Sequence, residues 1–129
     1  MRPATGEHFA LVLPRVSAAA MSTFLAEFAQ TVPDHTHAAM VLDQAGWHDA
    51  RALRVPESVT LVPLPAYSPE LNPVERVWLY LRERYLSHRL LADYAAVVEA
   101  CCDAWNALTA EAGRLRSLTA YPYLKQVSA

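Results

Sequence analysis

Residues 38–43 read Ala-Ala-Met-Val-Leu-Asp: five apolar residues in an unbroken row, closed by a carboxylate. A run this short, without alternation, predicts a strand buried on both faces, as in parallel sheets covered by helices. Ala45-Gly46 signals a turn directly after Asp43. Upstream, Ser17 is placed to cap a helix over 18–30, whose Met21, Phe24, Leu25 and Phe28 follow i, i+3, i+4, i+7 spacing before Pro33-Asp34 breaks it. Before that helix, His8 to Leu13 reads as a strand ended by Pro14. Downstream, His48 to Leu53 predicts a short helix. Val59 to Leu64 predicts a third strand, which Pro63 confines to an end or edge position. A loop punctuated by Pro65, Pro69 and Pro73 follows. A helix over 73–86 then carries Val74, Val77, Trp78, Leu81 and Tyr85 on one face. A second helix over 91–108 is predicted to bury Tyr94, Val97, Val98, Cys101, Trp105 and Leu108. From Leu115 to Val127 the pattern leaves a short helix before Tyr121-Pro122 as one reading among others. Strands alternating with helices define an α/β layer fold with parallel, right-handed crossovers. Functional groups in such sheets gather beyond the carboxyl ends of the strands, and Asp43 stands at one.

The chain has 129 residues, 53% of them hydrophobic and 19% charged, enough apolar surface for a core and too little charge for a disordered chain. The longest apolar runs, such as Phe9 to Leu13, are far too short to span a bilayer. The N-terminus has neither the apolar stretch nor the cleavage site of a signal peptide, so a cytoplasmic location without membrane contact is expected. Cys101 and Cys102 are adjacent, a poor geometry for pairing on a helix, and form no zinc pattern with histidine. They read as reduced, small apolar residues. The net charge of −2 matters for partners. Affinity for nucleic acid comes largely from cations neutralising phosphates, so this chain alone should hold DNA weakly.

Two segments carry the chemistry: Val41-Leu42-Asp43-Gln44-Ala45-Gly46-Trp47-His48, and Leu64-Pro65-Ala66-Tyr67-Ser68-Pro69-Glu70-Leu71-Asn72-Pro73-Val74-Glu75-Arg76-Val77-Trp78. Together they resemble the DDE transposases of bacterial insertion sequences related to the mariner group. In that family an Asp ends a hydrophobic strand, and a Glu follows later in a Pro-x-Tyr-Ser-Pro-x-Leu-Asn-Pro-x-Glu segment. Gln44 stands where Asn is common, a mild departure. The stretch from Arg2 to Pro14 also looks like an internal part of these enzymes, so the likeness covers nearly the whole chain. It implies an RNase H-like three-layer α/β fold, incomplete at its N-terminus, with residues 1–129 forming a single partial catalytic domain.

The resemblance also implies a reaction: hydrolytic cleavage of DNA phosphodiesters, then joining of the free 3′-hydroxyl to a target. Both are in-line displacements at phosphorus, which a pair of Mg²⁺ (or Mn²⁺) ions serves by stabilising the attacking and leaving oxygens. Hard cations take oxygen ligands, and Asp43 and Glu75 would be two of the three carboxylates, with His48 and Asn72 supporting them. The family's first acidic residue lies on a central strand upstream of the Arg2-to-Gly6 stretch. Glu7 precedes the wrong strand and takes no such role.

Plainer roles compete at each position. Asp43 also suits a strand end that starts a turn. Asn72-Pro73-Val74-Glu75 reads equally as N-cap, first-turn proline and capping-box glutamate, which explains every residue without a metal. His48 has a surface role as its rival. His35 and His37 form an HxH pair without further ligands, and Trp47, Trp78 and Trp105 read as core or interface residues. Arg76, Arg82 and Arg84 suit a solvated helix face.

Transposon-end and target DNA are the expected partners, held weakly by this chain alone. An upstream transposase segment or a second copy is expected along an open sheet edge. The chain alone is expected to be marginally stable and nearly inactive, as from a split or decayed reading frame. A non-catalytic, dimerising module that modulates a full-length transposase is the alternative, and a nuclease working with two carboxylates is a third.

Overall fold

The computed structural model describes residues 1–44, 51–87 and 89–127, with side chains described through Leu124. The chain divides into two compact units: residues 13–72 form one, and Met1–Val12 with Pro73–Ala129 form the other.

The contiguous unit is built on helix α1 (Ala18–Thr31) and two strands, β1 (Ala38–Leu42) and β2 (Val59–Pro63). Ser17 has extended backbone and its Oγ accepts from Ala20 N at 3.1 Å, so the predicted cap forms. Met21 and Leu25 are buried and pack with Val59, while Phe24, Phe28, Ala38, Met40 and Leu61 close around them. Leu25 is completely buried. The strands pair in parallel, from Ala38 opposite Val59 to Leu42 opposite Pro63. Pro63 ends its strand, as its missing N–H requires. Burial along β1 falls short of the expected two-sided covering: Leu42 is buried, Ala39 is exposed and the rest are intermediate. His37 Nε2 lies 2.6 Å from Thr60 Oγ1, so this histidine braces the strand entrance.

The discontinuous unit packs α2 (Val74–Leu81) against α3 (Tyr94–Ala110) and α4 (Arg114–Leu118) around buried Val77, Leu81, Ala104, Leu108 and Leu115. The helix predicted over 73–86 continues past Leu81 as a wide π-type turn, Arg82–Leu86. Asp93 caps α3 by accepting from Ala96 N at 2.8 Å. A final helix α5 spans Pro122–Val127.

One expectation fails here and another is met only in part. The segment His8 to Leu13 is not a strand: it has no ladder partner among the described residues, and Leu11 and Val12 are 39% and 51% exposed. A strand exists only through pairing, and the sheet among the described residues has two strands. His8 instead meets the edge of Trp105, with ring centroids 5.6 Å apart. The face of helix α3 is met only in part. Leu108 is buried and Trp105 packs against the core as expected, but Ala100 and Ala104 are buried as well, while Tyr94 and Val97 are 64% and 41% exposed. The small alanines leave room for the side chains of α2, so the larger residues turn outward. The turn at Ala45-Gly46, Trp47 and most of the helix expected over 48–53 lie outside the described residues; Arg51–Leu53 are not helical.

Candidate active site

The parallel ladder continues one residue past its last strand pair. Leu64 N donates to Leu42 O at 2.8 Å. Gln44 Nε2 then donates to Leu64 O at 2.7 Å. Leu64, itself buried, is thus bonded to the residues on both sides of Asp43. The exit of β1 is tied to the exit of β2 twice, and Asp43, partly buried, sits between the two ties. This fixes the backbone that presents the carboxylate at the carboxyl edge of the sheet, the position expected of a functional group in such folds. Gln44, which sequence reading treated as a mild departure, is the residue that makes the second tie. A polar amide directly after the acid was the only hint of it.

From Leu64 the chain passes through Tyr67, whose φ is +56°, into a short 3₁₀ turn at Pro69–Leu71. Asn72 follows with extended backbone (φ −90°, ψ 109°), and Pro73 already has helical angles (φ −60°, ψ −25°). That sequence of angles is what a cap and a first-turn proline require. Asn72 is 7% exposed, whereas Glu75, in the first turn of α2, is exposed. Asp43 and Asn72 belong to the contiguous unit and Glu75 to the other. His48 lies outside the described residues.

The donor set agrees with a hard divalent cation in kind, since both Asp43 and Glu75 offer carboxylate oxygens. It falls short in number: among the described residues no group of three His, Cys, Asp or Glu side chains gathers as a metal site. The HxH pair behaves likewise, His35 occupying a turn and His37 bonding Thr60. No helix among the described residues is long and apolar enough to cross a membrane. Cys101 and Cys102 are free thiols, the first partly buried and the second exposed.

Polar structure missed in the sequence lies beyond Glu75 in the same unit. Glu111, at the end of α3, accepts from Tyr80 Oη at 2.7 Å and from Tyr85 Oη at 2.7 Å. Arg114 Nε stands 3.4 Å from Glu111 Oε1 without hydrogen-bond geometry, and its guanidinium lies 5.1 Å from the centroid of the Tyr80 ring. The hydroxyl bonds from Tyr85 and Tyr80 hold the Glu111 carboxyl below its usual range, and the same bonds raise both phenols. Arg76 is exposed, as a solvated helix face requires, and its guanidinium also lies 4.6 Å from the centroid of the Tyr121 ring. Arg76, Leu79, Tyr80, Glu83 and Leu118 line an open hollow of about 280 Å³.

These features are those of an α/β protein with an acidic residue braced at the edge of a parallel sheet and a second one at a helix start. A family model for DDE superfamily endonucleases matches residues 1–98, and the chain belongs to that family. A curated relative, the uncharacterized protein y4pE/y4sA of Sinorhizobium fredii, is 46% identical over 116 residues, covering 90% of this chain and 86% of that protein. No solved structure matches.

Proposed function

We propose that the chain is part of a DDE transposase catalytic domain of RNase H-like fold, in which Asp43 and Glu75 hold divalent metal, Mg²⁺ or Mn²⁺, for cleavage and strand transfer of DNA. The observation that carries this reading is the double tie around Asp43, in a chain of the DDE superfamily endonuclease family. A carboxylate used only to end a strand needs no such bracing, whereas a metal ligand needs fixed geometry. Bound there, the metal would supply charge stabilisation for the attacking and leaving oxygens of an in-line displacement. The chain's own task is to hold two carboxylates in place and to seat the phosphodiester. The third carboxylate would come from an upstream transposase segment, and its natural seat is the open edge of β1, which among the described residues has one partner.

The test is nicking of a labelled duplex by this chain mixed with that segment, with Mg²⁺ or Mn²⁺. Asp43→Asn should abolish cleavage, since losing even a group that only supports a metal ligand costs about 10–100-fold. Failure of every mixture to nick DNA would sink the enzymatic reading.

The second reading, a dimerising module without catalysis, is favoured by one observation: Trp78, Tyr94 and Val97 are 49%, 64% and 41% exposed. Sedimentation velocity of the Asp43→Asn chain decides it. Concentration-dependent dimers that survive the substitution, with no cleavage by the wild type, would replace the first reading with the second.

A further inference from the structure

Among the described residues two other than glycine have positive φ: His35 at +60° and Tyr67 at +56°. His35 has an ordinary explanation. It sits in a turn closed by Thr36 N donating to Pro33 O at 3.1 Å, and histidine is among the residues enriched in that region. Tyr67 has none of this kind. For a bulky side chain the left-handed region is a true outlier, and such strain persists only where the surroundings impose it. Here they do. Leu64 is bonded on both sides of Asp43, the flanking Pro65 and Pro69 restrict the chain, Ser68 Oγ donates to Ala66 O at 3.3 Å, and Leu71 N donates to Ser68 O at 3.1 Å. Yet the ring gains no packing in return, for Tyr67 is 102% exposed. Glycine or asparagine would suit this turn better, and a smaller polar residue would suit solvent better. The left-handed turn thus leaves an aromatic ring clear of the surface.

We propose that Tyr67 contacts the DNA substrate, its ring stacking on an unpaired base near the phosphate handled at Asp43. The inference rests on the reading of the chain as a DNA-cleaving domain. Tyr67 is three residues beyond Leu64, at most ~10 Å of extended chain, which equals about three nucleotides at ~3.4 Å each along a strand. A chain of net charge −2 has little phosphate grip to offer. Stacking on an aromatic ring supplies affinity without charge and tolerates any base, because every base has a flat face.

The experiment is fluorescence anisotropy of a labelled single-stranded oligothymidine with the full chain, at low salt and with EDTA, so that metal binding plays no part. Tyr67→Gly and Tyr67→Ala should each weaken binding on the order of 10-fold, and Tyr67→Phe should retain it within about twofold. Tyr67→Gly relieves the backbone, so its urea midpoint should equal or exceed that of the wild type, which separates lost contact from lost fold. Unchanged affinity in Tyr67→Gly overturns the inference while leaving the metal reading of Asp43 intact. No binding by the wild type overturns it as well, while the DNA reading itself stands or falls separately by nicking in the mixture with the upstream segment. Altered sedimentation of Tyr67→Gly with unaltered DNA affinity would make the ring a protein contact and also overturn it.

Discussion

Replacing Gln44 by Glu changes the shape of the side chain hardly at all and its hydrogen-bonding completely. The amide that donates to Leu64 O at 2.7 Å becomes a carboxylate that can only accept, so the second tie between the strand exits is lost. A side-chain hydrogen bond of this sort contributes roughly 0.5–1.5 kcal/mol. Gln44 is exposed, so the new carboxylate can swing into water and no buried charge adds to the loss. The expected cost is therefore about 1 kcal/mol, or roughly 4 °C in melting temperature for a chain of this size. With a urea slope of about 2 kcal/mol per molar, the midpoint should fall by roughly 0.5 M. Gln44→Ala should cost a similar amount without adding charge. The functional consequence is separate and differs in size between the two variants. Loosening the backbone around Asp43 should weaken Mn²⁺ binding in Gln44→Ala, by up to about 10-fold, as losses of supporting contacts to metal ligands do. In Gln44→Glu the added negative charge offsets part of that loss. Urea unfolding followed by circular dichroism, with Mn²⁺ titration by calorimetry, reads both. Unchanged midpoints in both variants would refute the claim that the tie braces the strand exits. An unchanged Mn²⁺ affinity in Gln44→Ala, with the midpoint lowered as expected, would refute the claim that the brace serves Asp43.

Leu25→Ala and Leu108→Ala remove fully buried side chains from separate cores and should each cost about 3 kcal/mol; hydrogen exchange should show each loss concentrated in its own unit, and uniform deprotection by either would be the contrary result. The tyrosine–carboxylate cluster predicts a loss of stability at both pH extremes. Glu111 has its pKa depressed below 4.5, so the stability it contributes is present above that value and is lost as pH falls through the lower folded pKa. Tyr80 and Tyr85 have theirs raised above 10.0, so theirs is present below that value and is lost as pH rises through the folded pKa values. Glu111→Gln should flatten the acid limb of a urea-midpoint profile measured against pH; an unaltered acid limb would show that the cluster is not coupled to folding.

The local elements were legible because each is set by neighbours in sequence. Ser17 with Met21 and Leu25 defines α1, and Ala38 to Leu42 defines β1 to the residue. The motif residues Asp43 and Glu75 were legible for a different reason, as parts of a family segment. What sequence could not show depends on partners far along the chain. His8 to Leu13 has the composition of a strand, but pairing is a property of two segments and this one has none among the described residues. The face of α3 was legible at Trp105 and Leu108 and misjudged toward its start, because alanine is nearly silent in a hydrophobic pattern while Ala100 and Ala104 are buried along with Leu108. The tie from Gln44 to Leu64 spans twenty residues, and the left-handed turn at Tyr67 has no signature in a residue type that avoids it.

The division of the chain also orders its synthesis. Residues 13–72 are contiguous, so every contact within that unit is available once they have left the ribosome. The other unit must wait. Met1 packs against the cluster formed by Val77, Leu81, Ala104, Leu108 and Leu115, residues translated more than seventy positions later. Residues 1–12 emerge before the rest of their unit and find their core only after a loop of some sixty residues has been closed, at a modest entropic cost of a few kcal/mol that grows only logarithmically with length. During that interval the apolar segment from Phe9 to Val12 waits without the partners of its own unit, open to a chaperone or to pairing with another molecule.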